Sequence, residues 1–217
     1  MQARAAGTSE RIAETARILF NEQGYGAVST AALAAVCGIA EGNLWYHYKT
    51  RRTLLDAIGE RFALAIETRL ALRPASDPVG DYAAMAAAMM AEFRDFRFLY
   101  RDQHSYGEHA EAVRRNAPDW TRRTFVQLEL YLAALVDAGQ LDWPRERLRD
   151  LAINATIILR YGLEHDHEMG EATRSGTGSV QRTLRRHLTL FEHRLTPAAA
   201  ARLHAAIAQI EAAPLAA

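Results

Sequence analysis

Gly24-Tyr25-Gly26-Ala27-Val28-Ser29-Thr30-Ala31-Ala32-Leu33-Ala34-Ala35-Val36-Cys37-Gly38-Ile39-Ala40-Glu41-Gly42-Asn43-Leu44-Trp45-Tyr46-His47-Tyr48-Lys49 reads as two short helices joined by a glycine-containing turn, the grammar of a DNA-reading helix-turn-helix. Thr30 is placed to cap the first helix, on which Leu33, Val36 and Cys37 recur at helical spacing to form one apolar face. Gly38 ends that helix. In the second, Leu44 and Tyr48 stand four apart and pack inward, leaving Asn43, Trp45, Tyr46 and His47 on the remaining faces. An amide pairs with a base edge, aromatic rings lie against thymine methyls or sugars, and hydroxyl and imidazole N–H groups donate to phosphates. Tyr46, His47, Lys49 and Arg51 are therefore assigned to phosphates. Asn43 and Trp45, with Glu41 and Gly42 near the helix start, are assigned to the groove, and Thr30 joins them in the DNA-contacting set.

The same residues resemble the TetR family of bacterial repressors. The matching pattern is a long first helix ending in Gln23-Gly24-Tyr25, then Ser29-Thr30, then Gly38 through Arg51, then Leu54-Leu55, and it covers roughly the first sixty residues. The resemblance implies an all-helical homodimer with an N-terminal DNA-binding domain and a divergent C-terminal domain that binds a small molecule. Ala40 stands where the family often has Ser or Thr, Trp45 where Tyr or Phe is usual, and Asn43 where Thr, Ser or Ala is common. The operator sequence does not transfer with the resemblance.

The expected fold is all-α: a three-helix helix-turn-helix domain over residues 1–50 and a helical effector-binding and dimerisation domain over 51–217. With 217 residues the chain is long enough for one full core or two small ones. No segment approaches a membrane span, and Met1 to Thr8 lacks the apolar core of a secretory signal, so a cytoplasmic location is expected. Cys37 is the single cysteine, which excludes an intrachain disulfide and points to packing. Net charge is zero, yet His47 to Thr53 carries Lys49, Arg51 and Arg52 with no acid, a basic patch beside the second helix. Lys49 is the only lysine in the chain.

Thr50 caps an expected connecting helix over 51–72, whose buried side carries Leu54, Leu55, Ile58, Phe62 and Ile66. Its two ends adjoin the DNA reader and the effector domain, which makes it the natural lever between them. Arg73-Pro74-Ala75-Ser76-Asp77-Pro78 breaks the chain. A helix over about 79–104 follows, with Tyr82, Met85, Met89, Phe93, Phe96 and Tyr100 on one stripe. That stripe, with Phe62, Trp120, Phe125 and Tyr161, is the expected wall of an effector cavity, and Asn154, Arg160 and His165 are the polar groups that orient an apolar or aromatic guest. Simple core packing is the competing reading of the stripe. Further helices are expected at about 108–116, 117–138, 145–168, 179–194 and 197–212, with a mobile loop at 170–178.

Pairing of two readers on a palindrome requires a dimer. In the resembling family the late helices of two subunits form a four-helix bundle, and Ile157, Tyr161, Val180, Leu184, His187, Leu188 and Phe191 are amphipathic enough for that role. Intrachain packing would satisfy the same residues. Two alternatives differ in class. Glu164-His165-Asp166-His167-Glu168 offers ligand-type side chains for a metal-responsive regulator, but consecutive helical residues diverge in direction. A helical protein-interaction adaptor accounts for the late helices and leaves the Gly38–Lys49 pattern unexplained. No nucleophile motif or phosphate-binding glycine loop supports an enzyme, and no cofactor or metal is expected. The expected partners are a palindromic DNA operator, a small-molecule effector and a second copy of the chain.

Overall fold

The computed structural model describes residues 2–106, 109–173 and 176–210, with side chains from Gly7 onward. Met1, the expected helix start at Glu108, loop residues Arg174 and Ser175, and the expected last-helix end at Ala212 lie outside the described residues. The fold is all-α. Its helices are α1 (Gln2–Gln23), α2 (Thr30–Val36), α3 (Glu41–His47), α4 (Arg51–Leu70), α5 (Pro78–Asp95), α6 (Arg97–Arg101), α7 (Glu111–Asp137), α8 (Leu148–Glu168), α9 (Ser179–Leu188) and α10 (Pro197–Gln209). Among the described residues, sheet pairing is limited to one isolated antiparallel bridge between Leu141 and Leu195.

Two compact units emerge. The first comprises residues 1–67 and 95–118, the second 68–94 and 119–217. In the first unit, Ile12, Phe20, Tyr25, Val28, Leu33, Leu44, Leu55 and Ile58 are buried. Each such side chain contributes about 1.5–3 kcal/mol by leaving water. The expected helix over 79–104 is broken at Phe96, and a local exchange of hydrogen bonds explains the break. Asn21 on α1 donates from its amide to the Asp95 carbonyl at 2.8 Å and accepts from the Phe98 backbone N–H at 2.9 Å. Arg17 donates to the same Asp95 carbonyl. The groups an unbroken helix would pair internally are thus satisfied from α1. Two expected helices merge in the other direction, since α7 runs through Pro118 without interruption. The division between units falls at that proline.

In the second unit, Tyr82, Met85, Met89, Met90 and Phe93 of α5 are buried, as are Leu128, Tyr131, Leu132 and Leu135 of α7. Arg69, at the end of α4, lies buried inside a closed polar network. Its guanidinium donates to Glu92 at 2.6 Å, Gln127 at 2.7 Å and Thr124 at 2.9 Å, while the Gln127 amide donates back to the Arg69 carbonyl at 2.6 Å. Every branch of the cation has a partner, the condition under which a buried charge is tolerated. Helices α8 and α9 approach closely at Gly162, where a Cβ would meet Thr183 Cγ2 at 2.4 Å.

The late helices correct one expectation. Val180, Leu184, His187, Leu188 and Phe191 are all buried within the single chain. The face of α9 expected at the dimer interface is core, and its area is already removed from water. His187 shares a 2.5 Å hydrogen bond with the Tyr82 hydroxyl, and its ring packs against Tyr82 and Phe191. Burial holds the imidazole neutral, pushing its pKa down to about 3 against an opposing pull from the Ala155 carbonyl. Ile157 differs from this group. It is 56% exposed, on an α8 face shared with Asn154, Tyr161 and His165.

Candidate nucleic-acid interface

The turn is built from backbone chemistry that the sequence encodes locally. Ser29, not Thr30, is the N-cap of α2, its hydroxyl accepting from the Ala32 N–H at 3.1 Å. Thr30 is the first helical residue and turns its hydroxyl toward α3, donating to Glu41 at 2.7 Å. At the other end, Gly38 takes a left-handed conformation (φ +66°), with its N–H on Ala35 and the Ile39 N–H on Ala34. This is a Schellman stop, which glycine makes without a Cβ penalty. Leu33, Ala34 and Cys37 form the buried arc of α2, and Val36 is 60% exposed. Ala34 and Cys37 rotate the arc away from Val36, which the expected face had included. Ala40 opens α3 with no side-chain cap, as its methyl group dictates.

Helix α3 buries Leu44 and presents the rest. Glu41, Gly42, Asn43 and Tyr46 are exposed, Tyr46 at 76%. Trp45 is half-buried and lines a crevice with Phe20, Val28, Leu33 and Leu54, so part of its ring packs against the domain. The His47 ring shares a 3.0 Å hydrogen bond through Nδ1 with the Ser9 hydroxyl. When Nδ1 accepts from Ser9, Nε2 carries the proton and is the ring atom able to donate. Tyr48 donates to the Ser9 carbonyl at 3.0 Å, so α1 fixes the end of α3 twice. Burial pushes the Tyr48 phenol pKa up, keeping it neutral. Ser9 is 38 residues from His47, and no local pattern could have identified it as their support.

The basic segment divides by role. Thr50 and Thr53 cap the start of α4 reciprocally, each hydroxyl accepting the other's backbone N–H at 3.1 and 3.2 Å. Arg51 turns inward. Its guanidinium donates to the Val28 and Tyr25 carbonyls and lies 4.2 Å from the centre of the Tyr25 ring. That use corrects its assignment to phosphate: Arg51 holds the loop before α2 onto α4. Arg52 is exposed and lies 3.8 Å from Asp56 and 3.9 Å from Glu111, weak surface pairs. Lys49 is exposed and, among the described residues, has no acidic partner.

The expected effector residues are distributed differently from the DNA-reading set. Met85, Met89, Phe93 and Trp120 are buried in the second unit. Phe62, Phe96 and Tyr100 belong to the first, where the Phe62 ring lies 5.3 Å from Phe96 and 5.2 Å from Tyr100. Phe125 is half-buried beneath the Arg149 guanidinium at 5.7 Å. Asn154, Tyr161 and His165 stand on the exposed face of α8, apart from the buried stripe they were expected to complement, and Arg160 is half-buried. Tyr161 donates to the Glu168 carboxylate instead. Within the acidic and histidine run, Glu168 accepts from Tyr161 and Asp166 is committed to two arginines. Asp166 is fully buried between Arg182 at 3.0 Å and Arg186 at 2.5 Å, and among the described residues no three His, Cys, Asp or Glu side chains group as metal ligands. Among those residues, no helix is long and apolar enough to cross a membrane.

Comparison with known proteins divides the chain near residue 60. Residues 12–58 match the family model of bacterial regulatory proteins, tetR family, and residues 61–203 match that of the TetR bacterial transcriptional repressors. The tetracycline repressor protein class C of Escherichia coli is 25% identical over 162 residues, 75% of this chain and 70% of the repressor. The HTH-type transcriptional regulator UidR of Escherichia coli (strain K12) is 36% identical over 58 residues, 27% of this chain and 30% of UidR. Among solved structures, a TetR-family regulator from Marinobacter aquaeolei VT8 superposes with a TM-score of 0.73 at 20% identity, covering 93% of this chain and 97% of that one. CprB from S. coelicolor A3(2) gives 0.69 at 17% identity, covering 97% and 100%. At those identities the likeness concerns the fold.

Proposed function

The chain belongs to the tetR family of bacterial regulatory proteins and is a ligand-responsive DNA-binding transcriptional regulator; from that premise we propose that it is a cytoplasmic repressor released from a palindromic operator by a small apolar or aromatic effector. The observation that carries the DNA-binding side is α3 itself. Leu44 anchors it, Ser9 holds its end, and Glu41, Asn43 and Tyr46 remain exposed for contact. Asn43 reads a base edge, and Gly42 allows close approach to the groove floor. Trp45 supports the helix from its crevice while its outer edge meets the groove. Tyr46, His47 and Lys49 take phosphates.

A homodimer supplies the second reader. Its face is the exposed side of α8, centred on Ile157 and Tyr161, with exposed Val126 and Leu130 of α7 as further apolar surface. The effector wall is the buried set Met85, Met89, Phe93 and Trp120, whose thioether and aromatic side chains suit an adaptable apolar site. An effector that binds better to the DNA-incompetent state weakens operator binding by its differential affinity, with α4 as the moving element.

The test is selection of the purified chain against a pool of randomised duplexes. Enrichment of a twofold-symmetric sequence is the expected result. Retention of the pool without sequence enrichment would contradict the proposal.

A further inference from the structure

We propose that the Thr30–Glu41 pair reads a cytosine: Glu41 accepts a hydrogen bond from the N4 amino group of one cytosine in each half-site, and Thr30 holds the carboxylate in position. The proposal rests on DNA recognition through α3 and adds the base that one side chain demands.

The geometry starts with a bond between two helices. Thr30 begins α2 and Glu41 begins α3, and the Thr30 hydroxyl donates to Glu41 Oε1 at 2.7 Å across 11 residues of chain. Glu41 is exposed at the first turn of α3, the helix whose Asn43 and Tyr46 are also exposed. Its second oxygen has no partner among the described residues. The neighbouring Gly42 adds no side chain, and a Cβ built there would meet nothing within 4 Å, so the carboxylate is not screened from an approaching groove.

The chemistry then selects the base. An ionised carboxylate only accepts hydrogen bonds. In the major groove guanine offers two acceptors and thymine offers an acceptor and a methyl group, so neither satisfies it. Adenine offers an amino donor beside the N7 acceptor, which repels a second carboxylate oxygen. Cytosine offers its amino donor beside a C–H edge, leaving the carboxylate unopposed. The Thr30 bond reinforces this preference in two ways. It removes one rotational freedom from Glu41 before DNA arrives, and it occupies Oε1 so that Oε2 is the oxygen left to the base. A carboxylate among phosphates is repelled unless such a donor meets it, so the same group also penalises the other three bases.

The competing account is that Glu41 serves α3 alone, as an acid in the first turn of a helix. Randomised-duplex selection with the full chain separates the two. The expected wild-type result is a sequence logo with cytosine at one position per half-site. Glu41→Gln should move that position toward adenine, whose N6 and N7 suit a carboxamide, and Glu41→Ala should leave it without preference. Thr30→Val should lower the preference for cytosine by about tenfold at that position alone, with Thr30→Ser restoring it. Thermal unfolding of each variant identifies any loss of folding. If folded Glu41→Gln and Glu41→Ala select the wild-type logo, Glu41 reads no base and the proposal is overturned. A wild-type logo unchanged by Thr30→Val overturns the positioning role. Failure of the wild type to enrich any sequence overturns DNA reading through α3 and this assignment together.

Discussion

Arg51 places its guanidinium 4.2 Å from the centre of the Tyr25 ring and donates to the Tyr25 backbone carbonyl. One side chain of α4 thereby fixes the loop through which the chain enters α2. Hydrogen bonds from a charged donor are worth about 1.5–3 kcal/mol each, and a cation over a desolvated ring adds about 2 kcal/mol. Arg51 is only half-buried, so water replaces part of these interactions, and Arg51→Ala is expected to lower stability by about 2–4 kcal/mol, measured by urea unfolding, and to weaken DNA binding through loss of the folded reader. Lys49→Ala should do the opposite. Its melting temperature should match the wild type, while the salt dependence of DNA binding falls by about one unit per protomer. A normal salt slope in Lys49→Ala, or full stability in Arg51→Ala, would reverse the two roles.

The dimer face is tested by contrasting buried and exposed positions. Ile157→Glu with Tyr161→Glu should give a folded monomer by sedimentation equilibrium, because both side chains are at least half exposed in the single chain. Leu184→Glu places a charge where exposure is 1% and should prevent folding. A dimer that survives the α8 pair places the interface on another surface.

Burial of a neutral His187 makes stability depend on pH in a defined direction. The folded imidazole titrates at about 3 and the unfolded one near its ordinary value of 6.5, so between those values the unfolded chain binds the extra proton. Stability is therefore full above 6.5 and falls as the pH drops toward 3. The maximum slope from this one group is about 1.4 kcal/mol per pH unit. His187→Gln should be less stable at neutral pH, and its melting temperature should decline less steeply with acid. Parallel wild-type and variant curves would show that His187 is not the group responsible.

The reading motif was legible because its determinants are local. A serine before a helix, a glycine after it and apolar residues at fixed spacing specify the turn without reference to distant parts of the chain. Arg51 was misread for the complementary reason. Sequence shows a cation beside a DNA-reading helix, whereas its true partners, the Tyr25 and Val28 carbonyls, are set by tertiary packing. The break at Phe96 likewise depends on Asn21, 74 residues from Asp95. Amphipathicity shows that α9 has a buried side but not what buries it. Val180, Leu184 and Phe191 serve an intrachain core as readily as an interface, and Ile157 and Tyr161 stood out only once α8 was packed.

The buried Arg69–Glu92 pair yields a test by double substitution. Arg69→Met removes the cation 2.6 Å from Glu92 and breaks the buried network, and should destabilise the fold. Adding Glu92→Leu removes the charge that had faced Arg69, and the pair should recover at least half of that loss in urea unfolding. Simple additivity of the two substitutions would show that the residues do not depend on one another.

Recognition of a base sequence by α3 is the central claim, and fluorescence anisotropy on one selected duplex and one shuffled duplex tests it most directly. The wild-type chain is expected to bind the selected duplex at least about a thousandfold more tightly at physiological salt. Asn43→Ala should lose about 1–3 kcal/mol on the selected duplex and nothing on the shuffled one. Equal wild-type affinity for the two duplexes, or an equal loss on both in Asn43→Ala, would contradict sequence reading through this helix.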